Sequence, residues 1–474
     1  IDYFFYSKSF MDIIFKDLIK LWGMPVNQEN INLDLPIGII STDTRTIKKG
    51  NFFVPLIGNR FDGHDYLKMA LDIGIQAAIV SEKFKGLVPT GLLHWVVPDT
   101  LYAYQQIASL HRRKLNLPVV AVTGSVGKTT TRELIRVVLS SLGEIISSRE
   151  NENNDVGVTK TLLRGSKRAA AYVLEMGMRG FGQIERLSQV AEPDIAVITN
   201  VGRAHIGILG SRENIAKAKS EITSHLRSDG VVIIPFGDSH LEKALKVKWS
   251  GRIIRVAIED FSLNWLGCND GFGARDFEPD YISQIDMQNN LMSFEGRKFK
   301  LPLEGKHNAM NFLMALTVAT EMGLSIENLD TSNINMPMGR NKLIDCGKYL
   351  VLDETYNASP ESVMASLDLL VSKPGRHFAV LGTMLELGSK SISLHKKVFQ
   401  RAVELGLTGI VFVSCGEESN LVKTIIKELP NHDVVETSKE AAISLLPWLS
   451  PGDNILIKGS RKLELEKILP YLQN

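Results

Sequence analysis

The chain has 474 residues, 44% of them hydrophobic and 23% charged, and a formal net charge of +1. That length exceeds one ordinary core and points to about three domains, while the near-zero charge gives neither nucleic acid nor an anionic membrane a reason to bind. Cys268, Cys346 and Cys415 are odd in number and far apart, which argues against a disulfide framework or a cysteine metal site and for a reducing cytosol.

From the N-terminus, the opening IDYFFYSKSFMDIIF is aromatic, but Asp2, Lys8 and Asp12 interrupt it and no small-residue cleavage site follows, so it does not read as a signal peptide. Met11 is a candidate natural start, with residues 1–10 an upstream extension. No apolar run anywhere approaches the roughly 18 residues of a membrane span, so no membrane insertion is expected. Residues 1–115 mix short strands and helices and carry the turn-rich stretch STDTRTIKKGNFFVPLIGNRFDGHDYL. On residue type alone, Ser41, Asp43 and Arg45 in that stretch serve as readily in a turn as at a ligand.

Pro118 opens a second block, residues 116–330, whose strands read as Val119–Thr123, Ala170–Leu174, Ile195–Thr199 and Val231–Pro235. Near-continuous apolar strands of this kind are buried on both faces, as in a parallel sheet. The first strand runs into GSVGKTTT. Gly124 and Gly127 permit a sharp turn and close backbone approach, and the N–H groups of the next helix point at an anion held there. Lys128 is placed to reach outer phosphates and the Thr129 hydroxyl to bind Mg²⁺. The G-x-x-G-K-T spacing is two residues shorter than the standard P-loop.

The next two strands end nearby in an open parallel sheet, where ligands gather at carboxyl ends. Glu175 in LEMGMRG sits at the tip of one, and His205 in TNVGRAHIG just beyond the tip of the other. Singly, Glu175 is as easily a solvated loop carboxylate as a ligand, and His205 is more readily a satisfied loop histidine; together, beside a triphosphate, they suit Mg²⁺. NENNDVGV (151–158) reads as a loop. In SRENIAKAKSEITSHL, Ser211 is the expected N-cap, and Lys219 falls on the apolar stripe with Ile215 and Ile222. Such a lysine either snorkels at the edge of the stripe or is buried with a depressed pKa, able as a neutral amine to become a carbamate. GKHNAMNFLMAL places Asn308 and Asn311 one turn apart at a helix start; capping accounts for the first more readily than the second.

The third block, 331–474, follows a hinge-like MPMGR and alternates the strands YLVLDE, FAVLG, GIVFVS and NILIKG with helical stretches, a doubly wound unit. The expected fold is α/β in three domains: a central P-loop-type, mostly parallel sheet flanked by a small N-terminal α/β domain and a C-terminal Rossmann-like domain.

These segments together resemble the Mur ligase family, ATP-dependent enzymes that form amide bonds in peptidoglycan precursor synthesis. TGSVGKTT is similar to its phosphate loop, NENNDVGV to its N-x-N-N-x-x-G segment, LEMG, AHIG and AKAKSEI to the segments of its glutamate, histidine and modified lysine, and HNAMN and MGR to its nucleoside and phosphate contacts. LDETYNASPESV, LGTMLELGSKSISLH and ILIKGSR resemble the members that add D-alanyl-D-alanine, and the D-N-P-R signature of the diaminopimelate- or lysine-adding members is absent.

The resemblance implies ATP contacts at Gly124, Ser125, Gly127, Lys128, Thr129, Thr130, Asn308, Asn311, Arg340 and Glu354, the last standing where the family usually has aspartate. It implies metal ligands at Thr129, Glu175, His205 and a carbamylated Lys219, for two Mg²⁺ ions, and catalytic roles for Lys128, Glu175, His205 and Lys219. It implies UDP-sugar contacts at Ser41, Asp43, Arg45 and Asn154. The implied substrates are UDP-N-acetylmuramoyl-tripeptide and D-alanyl-D-alanine, joined by a cytoplasmic monomer. The rivals are a ligase of the same architecture that adds another amino acid or extends a folate tail, a nucleotide-driven switch ATPase, and a catalytically dead binding module.

Overall fold

The computed structural model describes residues 10–27, 32–259, 278–329, 334, 336–414 and 416–473. Residues 1–9, Cys268 and Cys415 lie outside them. The described residues divide into two compact units, one within residues 1–120, 142–174 and 186–193, the other within 121–141, 175–185 and 194–474.

In the first unit, the strands Ile40–Ser41, Phe52–Phe53, Ala77–Ser81 and His94–Val97 form a parallel sheet in that order. Successive side chains leave opposite faces of a strand, and here both faces are dry. Phe52, Ala77 and Ile79 pack with Phe15, Leu18 and Trp95; Phe53, Ala78 and Val80 pack with Leu67 and Ala70. Phe15 stacks on Trp95 with ring centroids 5.8 Å apart. The strand Glu144–Ser147 runs parallel to Ala169–Glu175, and helix Asp155–Leu163 lies between them in the chain. The expected loop at 151–158 therefore ends early. Asn154 is an N-cap whose Oδ1 accepts the Gly157 N–H at 2.9 Å, and such a cap starts a helix that hydropathy alone does not announce.

In the second unit, a sheet runs Arg297–Lys300, Leu291–Phe294, Tyr281–Asp286, Arg252–Ile258, Val231–Pro235, Ile195–Ile198 and then the C-terminal part of Val119–Thr123. It is parallel from Ile195–Ile198 to Tyr281–Asp286 and ends in antiparallel strands. The Met176 N–H bonds the Val122 carbonyl at 2.8 Å, so the end carrying Glu175 is beside the end carrying Thr123. A second sheet runs Lys342–Asp345, Tyr349–Glu354, Asp453–Lys458, His377–Gly382, Gly409–Val413 and Asn431–Val435, parallel apart from its first pair. Val351, Val380, Val411 and Ile455 pack on one face with Ala441 and Leu445. On the other, Phe412 meets Phe399 of helix Ser391–Glu404 edge to face at 4.8 Å. Both sheets are the parallel α/β layers expected from the apolar runs, and their carboxyl ends carry the residues that matter next.

Candidate active site

The turn after Val119–Thr123 is knitted to the end of the neighbouring strand. The Ser125 N–H bonds the Asn200 carbonyl at 3.1 Å, the Val126 N–H bonds Asn200 Oδ1 at 3.1 Å, the Gly202 N–H bonds Ser125 Oγ at 2.9 Å, and Thr199 Oγ1 donates to the Val126 carbonyl. Both glycines of the turn are required. A Cβ on Gly124 would lie 1.8 Å from Thr199 Oγ1, and Gly127, at φ +82°, would bring one within 2.9 Å of Asn311 Oδ1. Gly124→Ala is therefore expected to lower unfolding stability by about 1–3 kcal/mol through forced displacement of Thr199, read from the midpoint of denaturant unfolding.

Helix Lys128–Val138 starts at Gly127. Lys128 Nζ donates to the Gly124 carbonyl at 2.9 Å. Its pKa is pushed down by burial and further by Arg340, against the pull of Glu175. One residue on, Thr129 Oγ1 donates to Glu175 Oε2 at 2.7 Å. Glu175 is 1% exposed and also meets the buried Arg132 guanidinium at 3.3 Å. Arg132 lies four residues after Lys128 and three after Thr129, hence on their helix face. That spacing was a usable signal, but the sequence reading passed over it.

His205 begins a short turn with φ +64°. Its pKa is pushed down to about 4, by burial first and then by Lys128, against the pull of Glu386. Lys219 lies on helix Arg212–Ser220, whose N-cap is Ser211 as expected. Of the two alternatives for Lys219, the structure has the buried one, at 1% exposure. Its pKa is well below the usual lysine range, through burial first and Lys128 second, and among the described residues its ammonium makes no hydrogen bond or ion pair.

Asn308 and Asn311 sit in the first turns of helix Lys306–Glu321, both buried. Neither is the N-cap, which is Gly305. Asn308 Nδ2 donates to Asn341 Oδ1 at 3.1 Å, and Asn341 Nδ2 donates to Thr130 Oγ1 at 3.0 Å. The Asn341 N–H bonds Glu354 Oε1 at 3.1 Å, and Lys458 Nζ bonds Glu354 Oε2 at 3.1 Å. Asn341 thus ties helix Lys128–Val138, helix Lys306–Glu321 and strand Tyr349–Glu354 together. Arg340 lies over the Tyr356 ring, 3.8 Å from its centroid.

Gly124, Ser125, Gly127, Lys128, Thr129, Thr130, Glu175, His205, Lys219, Asn308, Asn311, Arg340 and Glu354 all belong to the second unit, linked by these contacts and charge interactions. Ser41, Asp43, Arg45 and Asn154 belong to the first. There Ser41 Oγ donates to the Asp43 carbonyl at 3.0 Å, and Asp43, paired with Arg45 at 2.6 Å, has its pKa lowered to about 2, chiefly by that hydrogen bond. Asn341, Arg132, Glu361 and Glu386 were missed as candidates. The last two grip the His205 turn from more than 150 positions away in sequence.

Residues 122–319 match the Mur ligase middle domain, and residues 339–461 the Mur ligase, glutamate ligase domain. The UDP-N-acetylmuramoyl-tripeptide–D-alanyl-D-alanine ligase of Synechocystis is 36% identical over 94% of this chain and 93% of its own. Among solved structures, MurF from Acinetobacter baumannii superimposes with a TM-score of 0.84 and 29% identity over 98% of this chain and 99% of its own. MurF from Thermotoga maritima, solved in complex with ADP, superimposes with a TM-score of 0.78 and 26% identity over 92% of this chain and 96% of its own. With both domain matches and a curated relative of that identity along nearly its whole length, the chain belongs to the Mur ligase family.

Proposed function

We propose that the chain joins D-alanyl-D-alanine to UDP-N-acetylmuramoyl-tripeptide at the expense of ATP, releasing ADP and phosphate, in peptidoglycan precursor synthesis. The observation that carries this is the full-length similarity to a ligase of that name, together with a glycine turn, Lys128, Glu175, His205 and Lys219 gathered in one unit. In the proposed division of labour, residues 1–115 hold the UDP-sugar through Ser41, Asp43 and Arg45, and Asn154 belongs to the same unit. Residues 116–330 hold ATP, and residues 331–474 bring the dipeptide and add Arg340 and Glu354 to the nucleotide site.

A carboxylate does not condense with an amine in water unless it is activated first. In the proposed sequence, a terminal carboxylate oxygen of the tripeptide attacks the γ-phosphorus of ATP and ADP leaves, giving an acyl phosphate. The dipeptide amine then attacks the acyl carbon, phosphate leaves, and the nitrogen loses its proton. Positioning and charge neutralisation are most of the work in phosphoryl transfer. Lys128 sits at the mouth of the glycine turn and meets the outer phosphates, and the N–H groups of the first helical residues meet the inner ones. Asn308, Asn311 and Asn341 fix the helix starts around the nucleotide. Water has to be kept from the acyl phosphate, which it would hydrolyse.

Among the described residues no group of three or more His, Cys, Asp or Glu is gathered as a metal cage. Magnesium does not need one, because it is bound through one or two carboxylates plus substrate phosphates. The Thr129 hydroxyl and Glu175 carboxylate, in contact at 2.7 Å, are hard oxygen donors of that kind. Mg²⁺ would be held by Thr129, Glu175, His205 and a carbamylated Lys219, and would supply neutralisation of phosphate charge. Burial and Lys128 lower the pKa of the Lys219 amine, and an amine that gives up its proton is the form that adds CO₂. The proposed setting is the cytoplasm and the proposed state a monomer; among the described residues no helix is long and apolar enough to cross a membrane.

The test is phosphate release by purified protein with ATP and Mg²⁺ on addition of UDP-N-acetylmuramoyl-tripeptide, D-alanyl-D-alanine, or both. Release is expected only with both, with a product heavier than the tripeptide by the dipeptide less water. Release with glutamate or diaminopimelate instead would mark a different ligase, and release from ATP alone a switch ATPase.

A further inference from the structure

Resting on the ligase reading above, we infer that Glu386 is a positioning residue that orients the His205 imidazole from the segment following strand His377–Gly382. Glu386 Oε2 lies 2.5 Å from His205 Nδ1. The contact is not an isolated pair of flexible side chains. The Glu386 carbonyl accepts the Gly207 N–H at 3.1 Å, and the two backbones touch: a Cβ on Gly207 would lie 2.6 Å from the Gly388 nitrogen, and one on Gly388 would lie 2.8 Å from Gly207 Cα. Both partners hold a left-handed backbone, His205 at φ +64° and Glu386 at φ +63°. Non-glycine residues keep that conformation where their surroundings over-determine it.

A second grip acts on the same turn. Glu361, fully buried, accepts the Arg203 N–H at 3.0 Å and pairs with its guanidinium at 3.2 Å. The turn is thus fixed two residues before His205 by one carboxylate and at His205 by another. Glu386 Oε1 has Arg179 at 3.7 Å, which leaves Oε2 to the imidazole.

A carboxylate only accepts, so Nδ1 carries the hydrogen in this contact, and a neutral ring then presents the Nε2 lone pair on its other side. Carboxylate partners of this kind fix the tautomer and the ring plane of a histidine whose other nitrogen works on something else, and losing one typically costs about 10–100-fold in activity or affinity. Glu386 is 39% and His205 23% exposed at the side chain, and a polar contact that open contributes little to stability. Orientation is what it provides: His205 is set only when the segment carrying Glu386 is docked.

The test uses full-length protein with ¹⁵N-labelled histidines, with His205→Asn to assign the ring signals. In the wild type the His205 ring is expected as the Nδ1–H form. In Glu386→Ala, which keeps the backbone bond to Gly207, the ring is expected to lose that preference. The turnover number, referred to folded protein counted by ADP titration, should fall by about 10–100-fold while the KM for ATP stays within about twofold. Glu386→Gln, which retains an acceptor oxygen, should recover most of both signals. Unchanged ring signals in Glu386→Ala, or a changed ring with unchanged turnover, would overturn the assignment. If the wild type itself makes no product, the ligase reading fails, and the ring signals still decide whether Glu386 orients His205.

Discussion

Lys128→Ala is expected to lower turnover by about 10³-fold while leaving the protein folded. The ammonium lies on the carbonyls of Gly124 and Ser125, at 2.9 and 3.4 Å, so the loop itself aims it. Arg340 and burial both depress its pKa, against Glu175, which favours the charge. A cation kept in such a place is not there for stability. Its removal should leave the thermal midpoint unchanged or slightly raised. Single-turnover phosphate release and nucleotide titration separate the outcomes. Binding of ADP should weaken less than turnover falls, because charge on the transferring phosphoryl group is greatest in the transition state. Lys128→Arg should not restore the rate, since a planar fork with fixed donors cannot replace a compact ammonium on two converging carbonyls. Turnover of Lys128→Ala within tenfold of wild type would remove this residue from the chemistry.

The parts of this site legible in sequence are those fixed by short-range pattern. Apolar runs such as Ile195–Ile198 define strands, a strand has one carboxyl end, and so Glu175 and His205 could be placed beside the glycine turn before any coordinates. Spacing also put Lys219 on the apolar stripe of its helix, but it could not choose between edge and interior, because what covers the stripe comes from elsewhere in the fold. The residues missed are of the same kind. Asn341 acts by touching Thr130, Asn308 and Glu354, and Glu361 and Glu386 by reaching a turn far away in the chain. No local periodicity encodes such contacts. The helix start at Asp155 was hidden differently: four of the residues from Asn151 to Asn154 are polar, a pattern that signals a loop until one of them is recognised as a cap.

Replacing Lys219 is expected to separate stability from function. The amine is buried, lies near Lys128, and among the described residues has no hydrogen-bonding or ionic partner. Burying an unpaired ionisable group costs free energy whether it stays charged or gives up its proton. Lys219→Met keeps the length and the apolar stem but removes the amine, so it is expected to raise the thermal midpoint by about 2–4 °C in carbonate-free buffer. The same change should lower turnover by about 10²–10³-fold, because the carbamate proposed for Lys219 can no longer form and its negative charge is lost. Lys219→Ala should show the same loss, partly restored by short carboxylic acids that enter the space and supply a carboxylate. Bicarbonate with Mg²⁺ should stabilise the wild type and leave Lys219→Met unmoved, which tests carbamate formation by a melting curve rather than by activity. If Lys219→Met is as active as wild type, or if the wild type ignores bicarbonate while Lys219→Ala ignores acetate, the buried amine is an ordinary packing residue and the metal site has to be built without it.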